Sequence, residues 1–109
     1  MNEHQKRGED RRAMRRYVVD IEVEWEGTVG RQSGSISDIS SLGCFILCSG
    51  EVDNGEQVKI FMPLGDGMKV QFFGEVVNHV YEIGFGVSFR ELNKAQKDFI
   101  ESIIEPLID

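Results

Sequence analysis

Apolar and polar side chains alternate along the first strongly patterned stretch of the chain, residues 17–26 (YVVDIEVEWE). Every second position is apolar: Val19, Ile21, Val23 and Trp25. The positions between them are acidic: Asp20, Glu22, Glu24 and Glu26. A period of two places successive side chains on opposite faces of a strand. The pattern therefore predicts a half-buried antiparallel strand with Trp25 on its core face.

Five further strands follow, separated by residues that favour turns. The predicted strands cover residues 31–39, 44–48, 56–62, 68–81 and 84–90. Glycine, serine, asparagine and aspartate are frequent between them, and each of these residues stabilises turns. Gly74 interrupts the fifth strand, where a glycine predicts a bulge or a bend.

The period changes near the C-terminus from that of a strand to that of a helix. Asn93 and Gln96 have the spacing of a capping box. Apolar residues then recur at helical spacing: Phe99, Ile100, Ile103, Ile104 and Leu107. Pro106 disfavours a helical conformation at Glu105 and should end the helix there. The elements together predict a domain dominated by β-structure, a six-stranded antiparallel β-barrel with one C-terminal α-helix.

Charge divides the chain of 109 residues into two parts. We expect a single barrel domain over residues 17–109 and a flexible, arginine-rich arm over residues 1–16. The arm holds six basic and three acidic side chains, whereas the barrel holds six basic and sixteen acidic ones. Such an arm is either a solvated tail or a clamp for a small anion. The net charge of −7 opposes general binding to duplex DNA.

Targeting and metal-binding signals are missing from the sequence. The hydrophilic N-terminus lacks the apolar core of a signal peptide, and no apolar run approaches the ~20 residues that span a bilayer. A cytoplasmic location without membrane insertion is therefore expected. Cys44 and Cys48 lack the spacing of a zinc site, and on one strand they would lie about 13 Å apart, too far for a disulfide. Both are predicted to be buried structural thiols.

Two short motifs flank the predicted strands. The spacing R-x-x-x-R occurs twice directly before the first strand, as Arg11/Arg15 and as Arg12/Arg16. Residues 38–43 form a D-x-S-x-x-G sequence before the third strand. Taken alone, the second motif is explained by a turn in which Asp38 and Ser40 satisfy backbone donors.

Because the two motifs occur in this order relative to the predicted strands, the chain resembles a PilZ domain, a member of the bacterial family of cyclic di-GMP receptors. The resemblance extends from about residue 9 to residue 104. It includes both motifs and the segment Gly84–Phe89 (GFGVSF), which is similar to the G-[IF]-G-V-x-F strand of that family. It implies a six-stranded barrel that binds cyclic di-GMP at its outer surface, without catalysis, cofactor or metal.

The resemblance also implies a set of ligand-binding residues. Those that match the family motifs are Arg11, Arg12, Arg15, Arg16, Asp38, Ser40 and Gly43. Within this set, Arg12 and Arg16 best match the paired arginines of the family, and the other two arginines are supplementary. On the fifth strand, Asn78 and His79 are nearest by position to a bound guanine.

The chemistry of these side chains agrees with the implied ligand. Arginine can hold a phosphate bidentately, bind guanine O6 and N7, or stack on a base. The Asp38 carboxylate can accept hydrogen bonds from guanine N–H groups. Ser40 offers a hydroxyl to a phosphate or to the backbone, and Gly43 permits a close approach of the main chain or a positive φ.

We therefore predict a non-enzymatic receptor that binds cyclic di-GMP, orders its arm and contacts a downstream protein. The alternative is an adaptor that uses the same barrel for protein contacts without nucleotide. Binding to single-stranded nucleic acid is a third hypothesis, which requires exposed aromatic side chains beside a basic groove. Most aromatic residues here fall in strand patterns and the barrel is acidic, so neither DNA nor RNA is expected as a partner.

Overall fold

The computed structural model describes residues 15–108, and these residues form six strands and one α-helix. The strands are β1 (Tyr17–Gly27), β2 (Gly30–Ile39), β3 (Gly43–Leu47), β4 (Gln57–Gly65), β5 (Met68–Val80) and β6 (Gly84–Arg90). The helix α1 (Lys94–Ile104) leads into a short 3-10 turn, Glu105–Leu107. Every predicted strand is confirmed, with its ends shifted by three residues or fewer.

The six strands close into an antiparallel barrel in the order β1-β2-β3-β6-β5-β4. Closure removes free sheet edges and gives the barrel a single interior. The largest fully buried side chains are Trp25, Phe72, Phe85, Ile36, Ile39, Ile46, Ile60, Met62 and Ile100. Trp25 meets Phe85 edge to face at 4.8 Å between ring centroids. The all-β prediction and the core position of Trp25 are confirmed.

The capping box predicted for the helix is present. The Asn93 side chain accepts a hydrogen bond from the backbone N–H of Gln96, and the Gln96 side chain accepts one from the backbone N–H of Asn93. Gln96 also donates to the backbone carbonyl of Gln71 at 2.8 Å, which ties the start of α1 to β5. The Phe99 ring packs against the Phe72 ring, with 5.9 Å between the ring centroids. The apolar face of the helix therefore lies on the barrel core.

One sequence-based prediction about β5 is wrong. Gly74 pairs regularly with Val58 and Phe89, whereas the bulge of β5 lies between Val76 and Asn78. A Cβ on Gly74 would come closer than 3.0 Å to the Val87 side chain, so this glycine serves close packing. The bulge leaves Val77 exposed on the outer surface.

The two cysteines are both free, and they differ in burial. Cys44 is buried on β3 as predicted, but Cys48 lies just beyond the end of that strand and is only half-buried. The prediction of a second buried thiol is therefore wrong. Within residues 15–108, no helix combines the length and the apolar character needed to cross a bilayer.

Candidate functional site

The pairing of β1 with β2 brings the two sequence motifs together. Tyr17 is the register partner of Ile39, and Val18 is the partner of Asp38. Arg16 directly precedes β1, and Ser40 directly follows β2, so both leave the sheet at the same end. The Arg16 guanidinium (Nη1) donates to Asp38 Oδ1 at 2.7 Å. Residues 22 positions apart in the sequence thus form one ion pair.

A cavity of about 340 Å³ lies beside this ion pair and is open to solvent. Its lining residues are Arg16, Ser40, Leu42, Gly43, Val77, Val87 and Ser88. The cavity therefore combines a cation, a turn and an apolar wall. This combination suits an anion that also carries a flat apolar face, because the guanidinium attracts charge while the aliphatic side chains cover a ring.

Ser40 organises the turn between β2 and β3. Its side chain is buried, and its hydroxyl oxygen accepts hydrogen bonds from the backbone N–H groups of Leu42 (3.1 Å) and Gly43 (3.2 Å). The backbone N–H of Ser40 donates to the Gly43 carbonyl at 2.8 Å. Of the two roles considered for this hydroxyl, contact with the backbone is the one seen here. Ser40 thereby fixes the conformation of the turn that carries Leu42.

Gly43 allows β3 to lie directly against β6. It pairs with Ser88, and a Cβ at this position would come closer than 3.0 Å to the backbone carbonyl oxygen of Val87. Backbone cannot move aside as a flexible side chain can, so only glycine fits. Its φ is not in the left-handed region. Close approach, rather than a positive φ, is therefore the reason for this glycine.

The thiol of Cys44 lies behind the motif residues, on the core side of the sheet. Burial, with a smaller contribution from the negative charge of Asp38, raises its pKa to about 12 against the opposing positive charge of Arg16. Cys44 therefore stays protonated near neutral pH. A neutral, unreactive thiol contributes packing and no chemistry to this site.

A family model for the PilZ domain matches residues 5–105 of the chain. The chain belongs to the PilZ domain family. The match covers both motifs, and the closed six-stranded barrel with its C-terminal helix is the fold expected of a PilZ domain. No curated protein matches the chain significantly by sequence.

Solved structures share the fold of this PilZ domain at low sequence identity. The PilZ domain of CeSA from a cellulose-synthesising bacterium is 20% identical, with a TM-score of 0.67 over 85% of this chain and 97% of that one. The Borreliella burgdorferi PlzA protein, solved in complex with c-di-GMP, is 13% identical, with a TM-score of 0.69 over 90% and 43%. The Bacillus subtilis inhibitor of motility (MotI/DgrA) is 14% identical, with a TM-score of 0.62 over 84% and 48%. The chain spans less than half the length of the last two.

The predicted arginines of this PilZ domain fall into two groups. Arg11 and Arg12 lie outside the described residues. Arg16 lines the cavity, whereas the Arg15 guanidinium lies over the Tyr17 ring at 5.1 Å and does not line it. Neighbouring residues of an extended chain point to opposite sides, which explains the different surroundings of Arg15 and Arg16.

Sequence reasoning missed the apolar wall of the site. On β5 it is Val77 that lines the cavity, and neither Asn78 nor His79 does so. The bulge adds one residue to β5 and thus changes which side chain faces outward, and no local sequence signal marks it. Leu42 occupies one of the unspecified positions of D-x-S-x-x-G, so the motif does not point to it. Its exposed side chain becomes apparent only in the folded turn. Among residues 15–108, no cluster of side chains is suited to hold a metal ion.

Proposed function

We propose that this PilZ domain is a non-enzymatic receptor for cyclic di-GMP. The observation that carries the proposal is the 2.7 Å ion pair between Arg16 and Asp38. It joins a residue of the R-x-x-x-R motif to a residue of the D-x-S-x-x-G motif at the mouth of one cavity. The structure of PlzA in complex with c-di-GMP, which has the same fold, supports this ligand. The family and fold matches indicate no enzyme family.

Four side chains in or beside the cavity have roles that fit this ligand. Arg16 binds a phosphate or the O6 and N7 atoms of guanine. Asp38 accepts hydrogen bonds from guanine N–H groups. Leu42 and Val77 are exposed before binding and cover a guanine face. The burial of these two apolar side chains adds affinity that a purely ionic site lacks.

The ion pair between Arg16 and Asp38 is compatible with ligand binding. The guanidinium has five N–H donors, and the pair with Asp38 uses Nη1. Arg16 can therefore hold a phosphate or guanine while Asp38 keeps its orientation. Asp38 in this way orients the arginine before the ligand arrives, which reduces the entropy lost on binding.

The arm and a partner protein complete the proposed receptor. Arg12 is the partner of Arg16 in the R-x-x-x-R motif. Arg11 and Arg15 add positive charge around the ligand. Binding orders the part of the arm that precedes Arg15 over the cavity, and the new surface contacts a downstream protein. A motility inhibitor among the proteins of the same fold supports a regulatory output of this kind.

Calorimetric titration of the full chain with cyclic di-GMP tests the proposal. We expect a Kd in the micromolar range or tighter, which corresponds to about −8 kcal/mol or more favourable. Cyclic di-AMP and GTP serve as controls and should bind more weakly, since the first lacks guanine and the second lacks the cyclic double phosphate. The absence of a heat of binding at physiological salt would contradict the receptor proposal and favour the nucleotide-independent adaptor.

Replacement of Arg16 by alanine separates binding from stability. A hydrogen bond to a charged group contributes about 1.5–3 kcal/mol, so R16A should lower the affinity for cyclic di-GMP at least about tenfold. The ion pair that is lost in the free protein is solvent-exposed, with Arg16 at 55% and Asp38 at 28% side-chain exposure. The free energy of unfolding should therefore fall by less than about 1 kcal/mol.

Arg31→Ala is the matched control for this experiment. Arg31 also pairs with an acid, at 3.5 Å from Glu24, and is similarly exposed, but it does not line the cavity. The R31A variant should bind cyclic di-GMP like the parent protein. Equal affinities of R16A and the parent protein would show that the role assigned to Arg16 is wrong.

A further inference from the structure

Ser88 brings a hydroxyl group to the candidate ligand cavity from β6. It is the fifth residue of the segment GFGVSF, and neither R-x-x-x-R nor D-x-S-x-x-G includes it. Its side chain is half-buried and lines the cavity together with Arg16. On β3 its register partner is Gly43, which places no side chain next to the hydroxyl. The Ser88 hydroxyl is thus a polar group of the cavity for which the two motifs do not account.

A guanidinium group holds the Ser88 hydroxyl. Arg90, two residues further along β6, donates from Nη1 to Ser88 Oγ at 2.9 Å. Arginine has no acceptor atom, so the oxygen of Ser88 accepts in this contact and the hydroxyl hydrogen is not used in it. A hydroxyl that accepts from a cation is also polarised, which makes it a stronger donor. The hydrogen of Ser88 is therefore available to an acceptor atom in the cavity.

A carboxylate on β5 fixes Arg90 in turn. The Nε and Nη2 atoms of Arg90 donate to Glu75 Oε1 at 3.3 Å and 3.0 Å. Glu75 is the register partner of Ser88 on β5, so the three side chains lie side by side on the outer face of the sheet. The guanidinium also offsets the negative charge of Glu75, which would otherwise repel an anion near Ser88. Arg90 thus orients the hydroxyl and keeps this wall of the cavity compatible with a phosphate.

The serine of the D-x-S-x-x-G motif cannot supply the same hydrogen bond. Ser40 Oγ accepts from the backbone N–H groups of Leu42 and Gly43, and it donates to the Gly43 carbonyl oxygen at 3.4 Å. A hydroxyl has one donor and two acceptor sites, so the turn occupies all three. Ser88 differs, because its contact with Arg90 uses an acceptor site.

We propose that Ser88 donates a hydrogen bond to a phosphate oxygen of the bound nucleotide, and that Arg90 is the positioning residue that orients this hydroxyl. The phosphate then lies between Arg16 on the β1 side and the Ser88–Arg90 pair on the β6 side. A phosphate oxygen is the expected acceptor, because a charged acceptor forms a shorter and stronger hydrogen bond than a neutral one. This assignment rests on the proposed function, since it concerns the same ligand.

Calorimetric titration of Ser88 variants of the full chain with cyclic di-GMP tests the role of the hydroxyl. Ser88→Ala should lower the affinity about tenfold, because a hydrogen bond to a charged group is lost. Ser88→Thr keeps the hydroxyl on a residue that strands accommodate well, and it should restore the affinity to within about twofold of the parent protein.

Ser35→Ala is the matched control for S88A. Ser35 is also a half-buried serine on a strand, and its hydroxyl also bonds to a charged side chain, Asp20, at 3.1 Å. It does not line the cavity, so S35A should bind cyclic di-GMP like the parent protein. Similar losses of affinity in S35A and S88A would show a general disturbance of the barrel and overturn the proposed contact.

Removal of Arg90 in two backgrounds tests its positioning role. Arg90→Ala should lower the affinity about fivefold in the parent protein and about twofold or less in S88A, because Arg90 acts mainly through the hydroxyl. The remaining loss reflects the unpaired charge of Glu75. Equal losses in both backgrounds would show that Arg90 does not act through Ser88. The ion pair with Glu75 is partly exposed, so the urea midpoint of R90A should lie within about 0.5 M of the parent value.

The R16A variant keeps this proposal separate from the receptor proposal. Equal affinities of S88A and the parent protein, with weaker binding by R16A, would overturn the role of Ser88 and leave the receptor function in place. An S88T variant that binds as weakly as S88A would also contradict the hydrogen bond. A parent protein that does not bind cyclic di-GMP would overturn the receptor function and this assignment together.

Discussion

Gly43 is the residue at which the candidate site depends most directly on close packing. The main chain of β3 lies so near β6 there that a Cβ would meet the Val87 carbonyl. Gly43 also accepts a hydrogen bond from the backbone of Ser40, so a shift of β3 would displace the whole turn. The glycine thus positions Leu42 and Ser40 without contributing a side chain of its own.

Gly43→Ala should destabilise the barrel by about 1–3 kcal/mol, the usual cost of an extra methyl group in a tightly packed interior. Urea unfolding followed by tryptophan fluorescence measures the change. Gly86→Ala is the control on the neighbouring strand, where a Cβ would meet no atom nearer than 3.6 Å. Its free energy of unfolding should stay within about 0.5 kcal/mol of the parent. Equal losses in the two variants would contradict the packing argument.

At the scale of elements, a carboxylate connects two turns at the end of the barrel remote from the candidate site. Glu56 Oε2 accepts hydrogen bonds from the Thr28 backbone N–H (2.9 Å) and hydroxyl (3.1 Å), and Oε1 accepts one from the Asp53 backbone N–H (3.0 Å). Burial raises the pKa of Glu56, but the three hydrogen bonds outweigh burial and hold the pKa below its ordinary value of 4.5. The charged form therefore stabilises the link between the β1–β2 turn and the loop before β4.

The lowered pKa of Glu56 predicts an acid-dependent contribution to stability. A carboxylate whose pKa is lowered in the folded state contributes fully above the unfolded pKa and loses this contribution as the pH falls through the folded pKa. Glu56→Gln should lower the free energy of unfolding by about 1 kcal/mol at neutral pH. The amide group of glutamine replaces one of the two accepting carboxylate oxygens with a donor. The difference from the parent protein should shrink as the pH falls below about 4.

Urea unfolding at a series of pH values measures this difference. Glu51→Gln, at an exposed residue of the same loop, is the control and should follow the parent protein at every pH. A difference between E56Q and the parent that stays constant into acid would show that the charge of Glu56 is not responsible.

At the scale of the whole molecule, positive and negative charge are segregated along the chain. Residues 1–16 are basic, whereas residues 17–109 hold sixteen acidic against six basic side chains. Within the described part, several of the basic side chains already pair with acids, among them Lys69 with Glu24 and Arg90 with Glu75. A long polyanion that approached the arm would also meet the acidic barrel, whereas a small anion would meet only the arm and the cavity.

The charge distribution predicts that the protein discriminates strongly against DNA. Binding to a short DNA duplex at physiological salt should be weaker than about 10⁻⁴ M, the weak end of nonspecific protein–DNA affinity. Fluorescence anisotropy of a labelled duplex measures it, with cyclic di-GMP as the positive control in calorimetry. Micromolar affinity that falls steeply with added salt would show that the arm recruits nucleic acid despite the acidic barrel.

The sequence by itself determined the elements of this protein. The period of two in β1, the capping residues Asn93 and Gln96, and the proline after the helix act between near neighbours, so their effects can be predicted without the fold. The resemblance to the PilZ family added the barrel and named the motif residues. The family and the barrel are confirmed, whereas the ligand-binding roles of these residues stay predictions.

Only the tertiary structure decided how these elements meet. The ion pair of Arg16 with Asp38, the exposure of Val77 and the half-burial of Cys48 all depend on register, bulges and strand ends. The β5 bulge, for example, is defined only by the pairing with β6, where Val76 meets Val87 and Asn78 meets Gly86. A local period carries no information about such contacts, because the free energy that selects one register is summed over the whole closed sheet.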